Sequence, residues 1–407
     1  MSDPFEQQTA NALAAAPPVI LAAGPRELPA EAPPKPDAEW QLPHGTAWVY
    51  LANSKHGLVR PIILADGFNS GPSTLEFSWA ALETRNHPLI SSLRNAGRDV
   101  ILLGFKERSA SILVNAQAAA AAILRAIAER LGEEPLVVGG FSMGGLVTRY
   151  ALAKMETEDI DHQTSLYFSW DSPHRGAYIP LALQAFAHYI RKLNPRFSDQ
   201  MNSPAARQLL RWHIESWEDT PVVSQERTDF LAALESVGQW PRRPRRIALA
   251  NGVGTGLGNG IPAGATAVKG KGLGITGTDL RTQPTGTDSL AATLRVITSQ
   301  KAEVHAPGLP DVDGAPGGTL EGFGILADAL NKIIGLGVDH PIRSHCFVPA
   351  VSAVDVRDID TRADLYVNID DLPPEESGFD EFVLASGNEE HTKITAELGT
   401  WLIERLP

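Results

Sequence analysis

A serine lies at the centre of a glycine-flanked pentapeptide, residues 140–144, which reads GFSMG. The preceding run, 136–141, is short and apolar, which is typical of a buried strand, and a helix is predicted from Gly144 onward. At such a sharp turn, glycines two positions from the serine let strand and helix approach closely. The serine hydroxyl then stands at a helix N-terminus, where developing negative charge is favoured. The pattern predicts Ser142 as a nucleophile.

A second strand-to-loop turn could supply hydrogen-bond donors to the same reaction. Residues 62–69 read IILADGFN, a short apolar run followed by an Asp-Gly turn. When a nucleophile attacks a carboxylic carbonyl, negative charge builds on the oxygen, and two backbone N–H groups are needed to stabilise it. We assign these oxyanion donors to the backbone N–H groups of Phe68 and Met143.

These features resemble the lipase/esterase branch of the α/β-hydrolases. In that branch a His-Gly-Leu or His-Gly-Phe turn, a nucleophile elbow and a Thr-Pro-His-x-Gly-Ser segment follow one another, and here 66–68 (DGF), 140–144 and 172–177 (SPHRGA) correspond. The matching stretch covers about 60–179, with a weaker match near the C-terminus. Asp66 replaces the usual histidine, which leaves the chemistry intact because the donors are backbone groups. The resemblance implies a serine hydrolase that cleaves carboxylic esters of a small-molecule acyl substrate without a cofactor.

A serine hydroxyl needs a neighbouring base, so a histidine is required. In the resembled fold the chain order is nucleophile, acid, histidine, with the histidine in a loop after the last strand. His391 follows the strand-like run 381–385 and precedes a terminal helix, so we predict it as the base. His340 and His345 come before that strand and are competitors. His174 belongs to the SPHRGA segment, which in the resembled family is structural.

The acid is open between several carboxylates. In much of the resembled family it precedes a Val-Pro-x-x-Ser segment, but here His345 occupies that position ahead of 348–352. Asp171 ends the apolar run after the nucleophile helix, where a buried carboxylate is tolerable only if it is paired, as a histidine Nδ1–H would do. We take Asp171 as the acid, with capping of the following turn as its alternative role. Asp355 and Asp339 remain competing candidates.

Short apolar runs bounded by Gly, Asp or Pro predict buried strands at 46–52, 60–65, 99–104 and 136–141. Between the last two, residues 112–131 have apolar positions at spacings of three and four, which predicts a helix that ends at Gly132. Strand, helix, strand and helix in this order imply parallel strands with right-handed crossovers. The predicted class is α/β: an α/β-hydrolase fold with a mostly parallel central sheet flanked by helices.

Three segments depart from this alternation. Residues 1–45, rich in Ala, Pro and Glu, predict an extended, partly disordered leader before a hydrolase domain at 46–407. Residues about 175–240 predict a helical cap or lid insertion, with Ser203 as an N-cap followed by a proline. Residues about 251–320, dense in Gly, Thr and Pro, predict a loop-rich or short-stranded insertion. Its GxGxxG pattern at 272–277 lacks a leading strand and a following helix, so we interpret it as a loop.

The composition limits the partners. Among 407 residues, 35 are basic and 48 acidic, and a formal net charge of -13 argues against nucleic acid or an anionic membrane as the main partner. Cys346 is the only cysteine, so no intrachain disulfide is possible.

The N-terminal region lacks the features of a secretory signal, and no stretch predicts a membrane span, so we expect a cytoplasmic protein. No His/Cys/Asp group has metal-ligand spacing; a calcium site of loop carboxylates and the oligomeric state stay open.

The expected activity is therefore ester hydrolysis, with two alternatives. An acyltransferase, thioesterase, cyclase or amidase would use the same serine, histidine and acid, because a closed site can exclude water and admit another nucleophile. A hydrolase-like binding protein without activity is the third hypothesis, because a fold does not determine a function.

Overall fold

The computed structural model describes residues 4–15, 32–297 and 300–407, and these contain fifteen strands and thirteen α-helices. The strands are β1 (Ala38–Leu42), β2 (Gly45–Tyr50), β3 (Pro61–Ala65), β4 (Asp99–Phe105), β5 (Leu136–Phe141), β6 (Thr164–Trp170), β7 (Arg245–Ala250), β8 (Thr266–Gly270), β9 (Asp279–Arg281), β10 (Ser289–Leu294), β11 (Ala302–Ala306), β12 (Gly317–Leu320), β13 (Val338–Asp339), β14 (His345–Pro349) and β15 (Glu381–Leu384).

The helices alternate with the strands in the first half of the chain and cluster between β6 and β7. They are α1 (Pro4–Ala15), α2 (Leu75–Leu82), α3 (Leu89–Asn95), α4 (Ile112–Glu129), α5 (Met143–Thr157), α6 (Leu181–Tyr189), α7 (Pro195–Met201), α8 (Pro204–Leu209), α9 (Gln225–Ser236), α10 (Gly322–Asn331), α11 (Ala350–Ala353), α12 (Arg362–Leu365) and α13 (Ala396–Glu404).

Eight strands form the main sheet, in the order β1-β2-β4-β3-β5-β6-β7-β15. From β4 to β15 every neighbouring pair is parallel, whereas β2 pairs antiparallel with both β4 and β1 at one edge. The residues of β3, β4 and β5 are all buried, as expected of parallel strands covered on both faces. The predicted mostly parallel sheet flanked by helices is confirmed.

The two faces of this sheet are covered by different helices, because successive side chains of a strand point to opposite sides. Ile63 of β3 and Val138 of β5 pack in the same core as α4 and α5. Their neighbours Ile62 and Val137 pack in the other core, with residues of α2, α3 and α13.

The direction of strand addition reverses between β3 and β5. After β3 the chain crosses to β4 on one side, and then returns to β5 on the other. In open α/β sheets the loops at such a reversal leave a crevice at the carboxyl ends of the strands, where ligands bind. The turns that follow β3 and β5 carry the DGF and GFSMG sequences, so this topology brings both to one crevice.

One helix of the described residues, α4, is long and apolar enough to cross a membrane by length and composition alone, contrary to the expectation that no stretch is. Its Ser111 N-cap accepts a hydrogen bond from the Leu113 N–H at 3.2 Å. The helix packs against α5 and the main sheet, and Ala116, Ala119 and Ile123 are buried there. This packing accounts for its apolar composition without a membrane.

The region between β7 and β15 contains most of the remaining strands. Five of them form a second, antiparallel sheet in the order β11-β10-β9-β8-β13, on which α6 packs. The 251–320 insertion is thus short-stranded, and its 272–277 pattern forms turns between β8 and β9. β12 and β14 form a separate antiparallel pair, and Thr319 of β12 makes an isolated bridge to Glu390, in the loop that follows β15.

The segment between β6 and β7, for which the sequence predicts a cap or lid, contains α6 to α9. The N-cap residue of α8 is Ser203, whose hydroxyl accepts a hydrogen bond from the Ala206 N–H at 3.4 Å, and Pro204 occupies the first position of the helix. A proline is tolerated there because its missing N–H would have no partner within the helix.

The N-terminal region departs from the predicted extended leader. Residues 4–15 form α1 and residues 38–42 form the edge strand β1; residues 1–3 and 16–31 of the predicted leader lie outside the described residues. Leu13 is buried, and its carbonyl accepts a hydrogen bond from Asn194 Nδ2 at 2.8 Å. The contact joins residues 181 positions apart, so no local pattern in a segment rich in Ala and Pro could indicate it.

Candidate active site

Ser142 occupies a strained turn between β5 and α5. Its backbone has φ 53° and ψ -123°, a conformation that a residue with a side chain adopts only where the surroundings enforce it. The flanking glycines make the turn possible. A Cβ at Gly140 would lie 2.5 Å from the Gly144 carbonyl carbon, and a Cβ at Gly144 would overlap the Ala65 carbonyl oxygen. The strand, the helix and β3 therefore meet at Ser142, as the pentapeptide predicts.

His391 lies in the loop that follows β15, and its Nε2 is 2.8 Å from Ser142 Oγ. Two contacts hold the residue. Its backbone N–H donates to the Thr319 carbonyl at 2.8 Å, and its ring meets the edge of the Phe347 ring at a centroid distance of 4.9 Å. The imidazole is fully buried, so its orientation is set by protein groups rather than by solvent.

Asp171 follows β6, and its Oδ2 is 2.6 Å from His391 Nδ1. The second carboxylate oxygen, Oδ1, accepts a hydrogen bond from the Asn251 N–H at 3.0 Å. The residue is fully buried, and β12 passes so close that a Cβ at Gly318 would overlap Asp171 Oδ2. The structure thus brings together three residues that lie far apart in the sequence.

The carboxylate fixes which imidazole nitrogen carries the proton. Because a carboxylate can only accept, His391 donates to it from Nδ1, and its Nε2 is left as an acceptor for the Ser142 hydroxyl proton. This is the arrangement that a general base needs, since Nε2 can remove the proton while Nδ1 stays bonded to the carboxylate.

The DGF turn after β3 lies beside Ser142. A Cβ at Gly67 would be 3.4 Å from Ser142 Cβ and 4.0 Å from Ser142 Oγ. Phe68 follows in this turn, and Met143 is the first residue of α5, whose leading N–H groups have no acceptor within the helix. Across the described residues, neither the Phe68 N–H nor the Met143 N–H donates a hydrogen bond to the protein. Both therefore remain free for a ligand.

Asp66, which replaces the histidine of the resembled family, is bonded within its own loop. Its Oδ1 accepts from the Gly67 N–H at 2.7 Å and its Oδ2 from Ser73 Oγ at 2.7 Å. Arg108 Nη1 lies 3.8 Å from the same Oδ2. These bonds hold the turn that presents the Phe68 N–H.

A small cavity of about 50 Å³ adjoins Ser142 and Gly67. Thr392, which follows His391, contributes to its wall, and the rest of the lining is mainly apolar. It comes from the main sheet and α2 and includes Leu64, Phe77, Ala81, Leu82, Leu102 and Phe141.

His174 makes a different set of contacts, away from Ser142. Its Nε2 is 2.8 Å from Ser169 Oγ, and its Nδ1 is 3.1 Å from Arg149 Nη1. Burial, together with the charges of Arg149 and Arg175, lowers the pKa of His174 well below its ordinary value. This histidine is therefore neutral, in keeping with the structural role that the resemblance implies.

The competing candidates lie elsewhere. Asp355 pairs with Arg175 Nε at 2.6 Å, and Asp339 at the surface pairs with Lys271. His340 follows Asp339 at the end of β13. The fourth candidate is His345, which is buried in β14 with its Nδ1 3.0 Å from the Cys346 carbonyl, outside the main sheet.

Sequence reasoning missed the groups that hold the acid in place. Asn251 follows β7, and it also accepts from Trp170 Nε1 at 3.0 Å and donates to the Lys393 carbonyl at 2.9 Å. Gly318 lies in the short β12. An Ala-Asn-Gly sequence at the carboxyl end of a strand was the available signal for Asn251, whereas nothing local marks Gly318.

The described residues contain no group of three or more His, Cys, Asp or Glu side chains that could hold a metal ion. The helix-flanked parallel sheet, the elbow at its carboxyl edge and the chain order serine, aspartate, histidine are those of the α/β-hydrolase fold, which the chain therefore has.

Residues 73–196 match a family model described as Mbeg1-like, which is less than half of the chain. No curated protein sequence gives a significant match.

Three solved structures illustrate the structural likeness. Lipase BlEst2 of Bacillus licheniformis in its mature form is 14% identical, with 53% of this chain and 74% of that chain covered and a TM-score of 0.33. Carboxyl esterase 2 of the fungus Tuber melanosporum is 15% identical, with 61% and 79% covered and a TM-score of 0.33. An esterase of Pyrobaculum calidifontis is 11% identical, with 60% and 71% covered and a TM-score of 0.32. At such TM-scores these likenesses say nothing about the activity of this chain.

Proposed function

We propose that this protein is a serine hydrolase that cleaves carboxylic esters with a short acyl group through an acyl-enzyme. The observation that carries the proposal is the hydrogen-bonded chain from Ser142 Oγ to His391 Nε2 at 2.8 Å and from His391 Nδ1 to Asp171 Oδ2 at 2.6 Å. A serine is a weak nucleophile unless a base takes its proton, and these two hydrogen bonds orient His391 as that base.

In the first half of the reaction, Ser142 Oγ attacks the ester carbonyl carbon and its proton moves to His391 Nε2. The resulting imidazolium is stabilised by Asp171, and the oxyanion accepts hydrogen bonds from the Phe68 and Met143 N–H groups. His391 then gives the proton from Nε2 to the alcohol oxygen as the carbon–oxygen bond breaks. The alcohol leaves, and the acyl group stays on Ser142.

In the second half, water replaces the alcohol. His391 Nε2 removes a proton from the water as its oxygen attacks the acyl carbon. The same proton returns to Ser142 Oγ when the carboxylic acid is released. The strained backbone of Ser142 and the buried Asp171 hold the groups in place through both halves.

The cavity beside Ser142 supports a short acyl group. Its volume is about 50 Å³, whereas an apolar cavity that binds benzene has a volume of about 150 Å³. Its apolar wall would receive a few carbon atoms, with Leu82 of α2 among the residues in contact. We therefore expect acetyl to butyryl esters to be preferred over octanoyl esters.

The nucleophile is tested with a fluorophosphonate probe, which labels activated serines. We expect label on Ser142 in the native protein and none in the Ser142→Ala variant. The matched control is Ser169→Ala, because Ser169 also lies 2.8 Å from a histidine Nε2 but outside the proposed site. Label that persists in Ser142→Ala, or that fails to appear in the native protein, would overturn the proposal.

The acyl preference is tested with p-nitrophenyl esters of increasing chain length. We expect kcat/KM to fall from butyrate to octanoate, by roughly tenfold for every few methylenes. In Leu82→Ala, the acyl length with the highest kcat/KM should shift to longer chains. A native enzyme that prefers octanoate would contradict the short acyl pocket but leave the serine mechanism standing.

Acyl transfer is a second candidate, favoured by the burial of the site. Ser142 is 4% exposed and His391 3% exposed, and a site closed to this extent could exclude water and admit another acceptor. Adding alcohols or amines to the ester assay separates the two. Acyl products that exceed hydrolysis at low acceptor concentration would indicate a transferase, and hydrolysis alone an esterase.

A further inference from the structure

A second cavity, of about 530 Å³, shares no lining residue with the cavity beside Ser142. It lies between α5, α9 and the segment that follows Asp171, and Arg149 is about two turns along α5 from Ser142. We call it the basic cavity, because four of its seven charged lining residues are arginines: Arg149, Arg175, Arg211 and Arg227, with Asp355, Asp358 and Glu235.

Two of these four arginines already have carboxylate partners. Arg175 Nε is 2.6 Å from Asp355 Oδ1, and Arg211 forms a bidentate ion pair with Asp360. In the part of the chain that the structure describes, Arg149 and Arg227 have no carboxylate oxygen within 4.0 Å. The cavity therefore holds two guanidinium groups without a direct ion pair, and its own carboxylates lie farther than 4.0 Å from them.

Arg149 is buried and is held by neutral groups only. Its Nε donates to the Gln239 carbonyl at 2.7 Å, its Nη1 contacts His174 Nδ1 at 3.1 Å, and its guanidinium carbon lies 3.4 Å from the centroid of the Trp240 ring. Burial lowers the pKa of Arg149 to about 10. The side chain thus keeps its charge at neutral pH.

Arg227 is equally buried. Its Nη1 donates to the Gln208 carbonyl at 2.7 Å and its Nη2 to the Arg175 carbonyl at 2.6 Å, while its Nε has no partner among the described residues. Burial lowers the pKa of Arg227 to about 10 as well, so this side chain is also charged.

Two buried guanidinium groups without a directly paired carboxylate are costly, and an anion bound between them would offset that cost. The chain as a whole has a formal net charge of -13, so the basic character is local. Two guanidinium groups without a direct ion pair suit a dianion, and a phosphate group carries about -1.5 to -2 charges near pH 7 together with several strong acceptor oxygens. Guanidinium groups are suited to it, because their fixed donors match phosphate oxygens.

We propose that the basic cavity binds a phosphate group, free or carried by a small molecule, between Arg149 and Arg227. Its volume falls within the range of about 300–1,000 Å³ that is typical of small-molecule sites, which leaves room for more than a bare phosphate. The site is distinct from the proposed ester site and does not depend on Ser142 reactivity.

Binding is tested on the full-length protein by isothermal titration calorimetry with inorganic phosphate and with glycerol 3-phosphate. Ionic strength is held constant with sodium chloride, and acetate serves as the monoanion control. Because the arginines also hold backbone carbonyls, the test variant leaves them in place. Leu231 of α9 lines the cavity and is 38% exposed, so Leu231→Glu introduces a carboxylate that competes for the same cations.

Two control variants separate charge from shape and from global effects. Leu231→Gln has nearly the same shape as Leu231→Glu without the charge. Leu124→Glu, on the exposed face of α4, adds the same charge outside the cavity. We expect saturable binding of a phosphate compound to the native protein, weakened roughly tenfold or more in Leu231→Glu and changed less than about threefold in both controls.

The two titrants distinguish the sources of the group. Tighter binding of glycerol 3-phosphate identifies a phosphomonoester, and tighter binding of inorganic phosphate identifies the free ion; either result supports the site. Absence of saturable binding by both compounds, binding of acetate with equal affinity, or equal affinities in Leu231→Glu and Leu124→Glu would overturn it.

Discussion

His391 and His174 are both buried, and each has its Nε2 2.8 Å from a serine hydroxyl. They differ in the group that faces Nδ1. For His391 it is the carboxylate of Asp171, at 2.6 Å, and for His174 it is the guanidinium of Arg149, at 3.1 Å. The serine–histidine distance alone therefore does not separate a candidate base from a structural residue.

The third partner decides where the proton lies. A carboxylate accepts from Nδ1–H, so His391 can accept the Ser142 proton at Nε2. A guanidinium only donates, so Nδ1 of His174 must accept, and its proton lies on Nε2 and is donated to Ser169. In both places a serine and a histidine share a hydrogen bond, but the direction of donation differs. Beside the carboxylate the serine donates to the histidine, and beside the guanidinium the histidine donates to the serine.

The largest expected difference is between the two serines. Ser142→Ala should lower kcat for p-nitrophenyl acetate by roughly 10⁴-fold or more, because it removes the nucleophile. Ser169→Ala should leave kcat within about threefold. It leaves the Nε2–H of His174 without its acceptor and should lower the free energy of unfolding by about 1–3 kcal/mol. Steady-state kinetics and urea unfolding of both variants check this, and equal losses of kcat would remove the distinction between the pairs.

The acid gives the next largest effect. Asp171→Asn places an amide opposite His391 Nδ1, and a donor there moves the imidazole proton to Nε2, as in His174. We expect kcat to fall by roughly 10⁴-fold with the fold retained. The matched control is Asp355→Asn, which removes a carboxylate that pairs with Arg175, and kcat should change less than about threefold. A larger loss in Asp355→Asn than in Asp171→Asn would assign the acid to Asp355.

A smaller effect is expected from displacing the acid without removing it. A Cβ at Gly318 would overlap Asp171 Oδ2, so Gly318→Ala should push the carboxylate away from His391. A misplacement of about 1 Å can cost about 10²-fold in rate, and we expect a loss of kcat of that order. Gly337→Ala is the control, because a Cβ there would be 4.0 Å from its nearest neighbour, Asn331 Oδ1. Kinetics of the two variants check this, and equal kcat values would show that the site absorbs the extra methyl group.

The three residues of the candidate site are not equally predictable from the sequence. Ser142 could be predicted because its requirements are local: a buried strand, two glycines and a helix within a few residues. His391 could be predicted from chain order. The sequence favours Asp171 as the acid but does not exclude Asp355 or Asp339, because the pairing depends on a contact between residues 220 positions apart.

The same reason explains what was missed in the fold. Residues 38–42 carry no strong strand pattern, and β1 exists because β2 offers it a pairing edge. The second sheet is held by pairings between short strands whose register depends on packing rather than on alternation. β7 begins with two arginines and was not predicted, yet it supplies Asn251, the second anchor of the acid.

The smallest expected effect concerns the proton of His174 and appears only with pH. Because burial and neighbouring arginines lower the pKa of His174 in the folded state, the unfolded chain takes up a proton below about pH 6.5 that the folded chain does not. Stability is therefore present above this pH and is lost as pH falls. His174→Gln lacks this titration. Between pH 7 and pH 5 the free energy of unfolding of the native protein should fall by up to about 2 kcal/mol more than that of the variant. Urea unfolding at both pH values measures the difference. If the difference in free energy of unfolding between the native protein and the variant does not change with pH, His174 takes up its proton in the folded state as well. The two histidines would then differ only in where they lie.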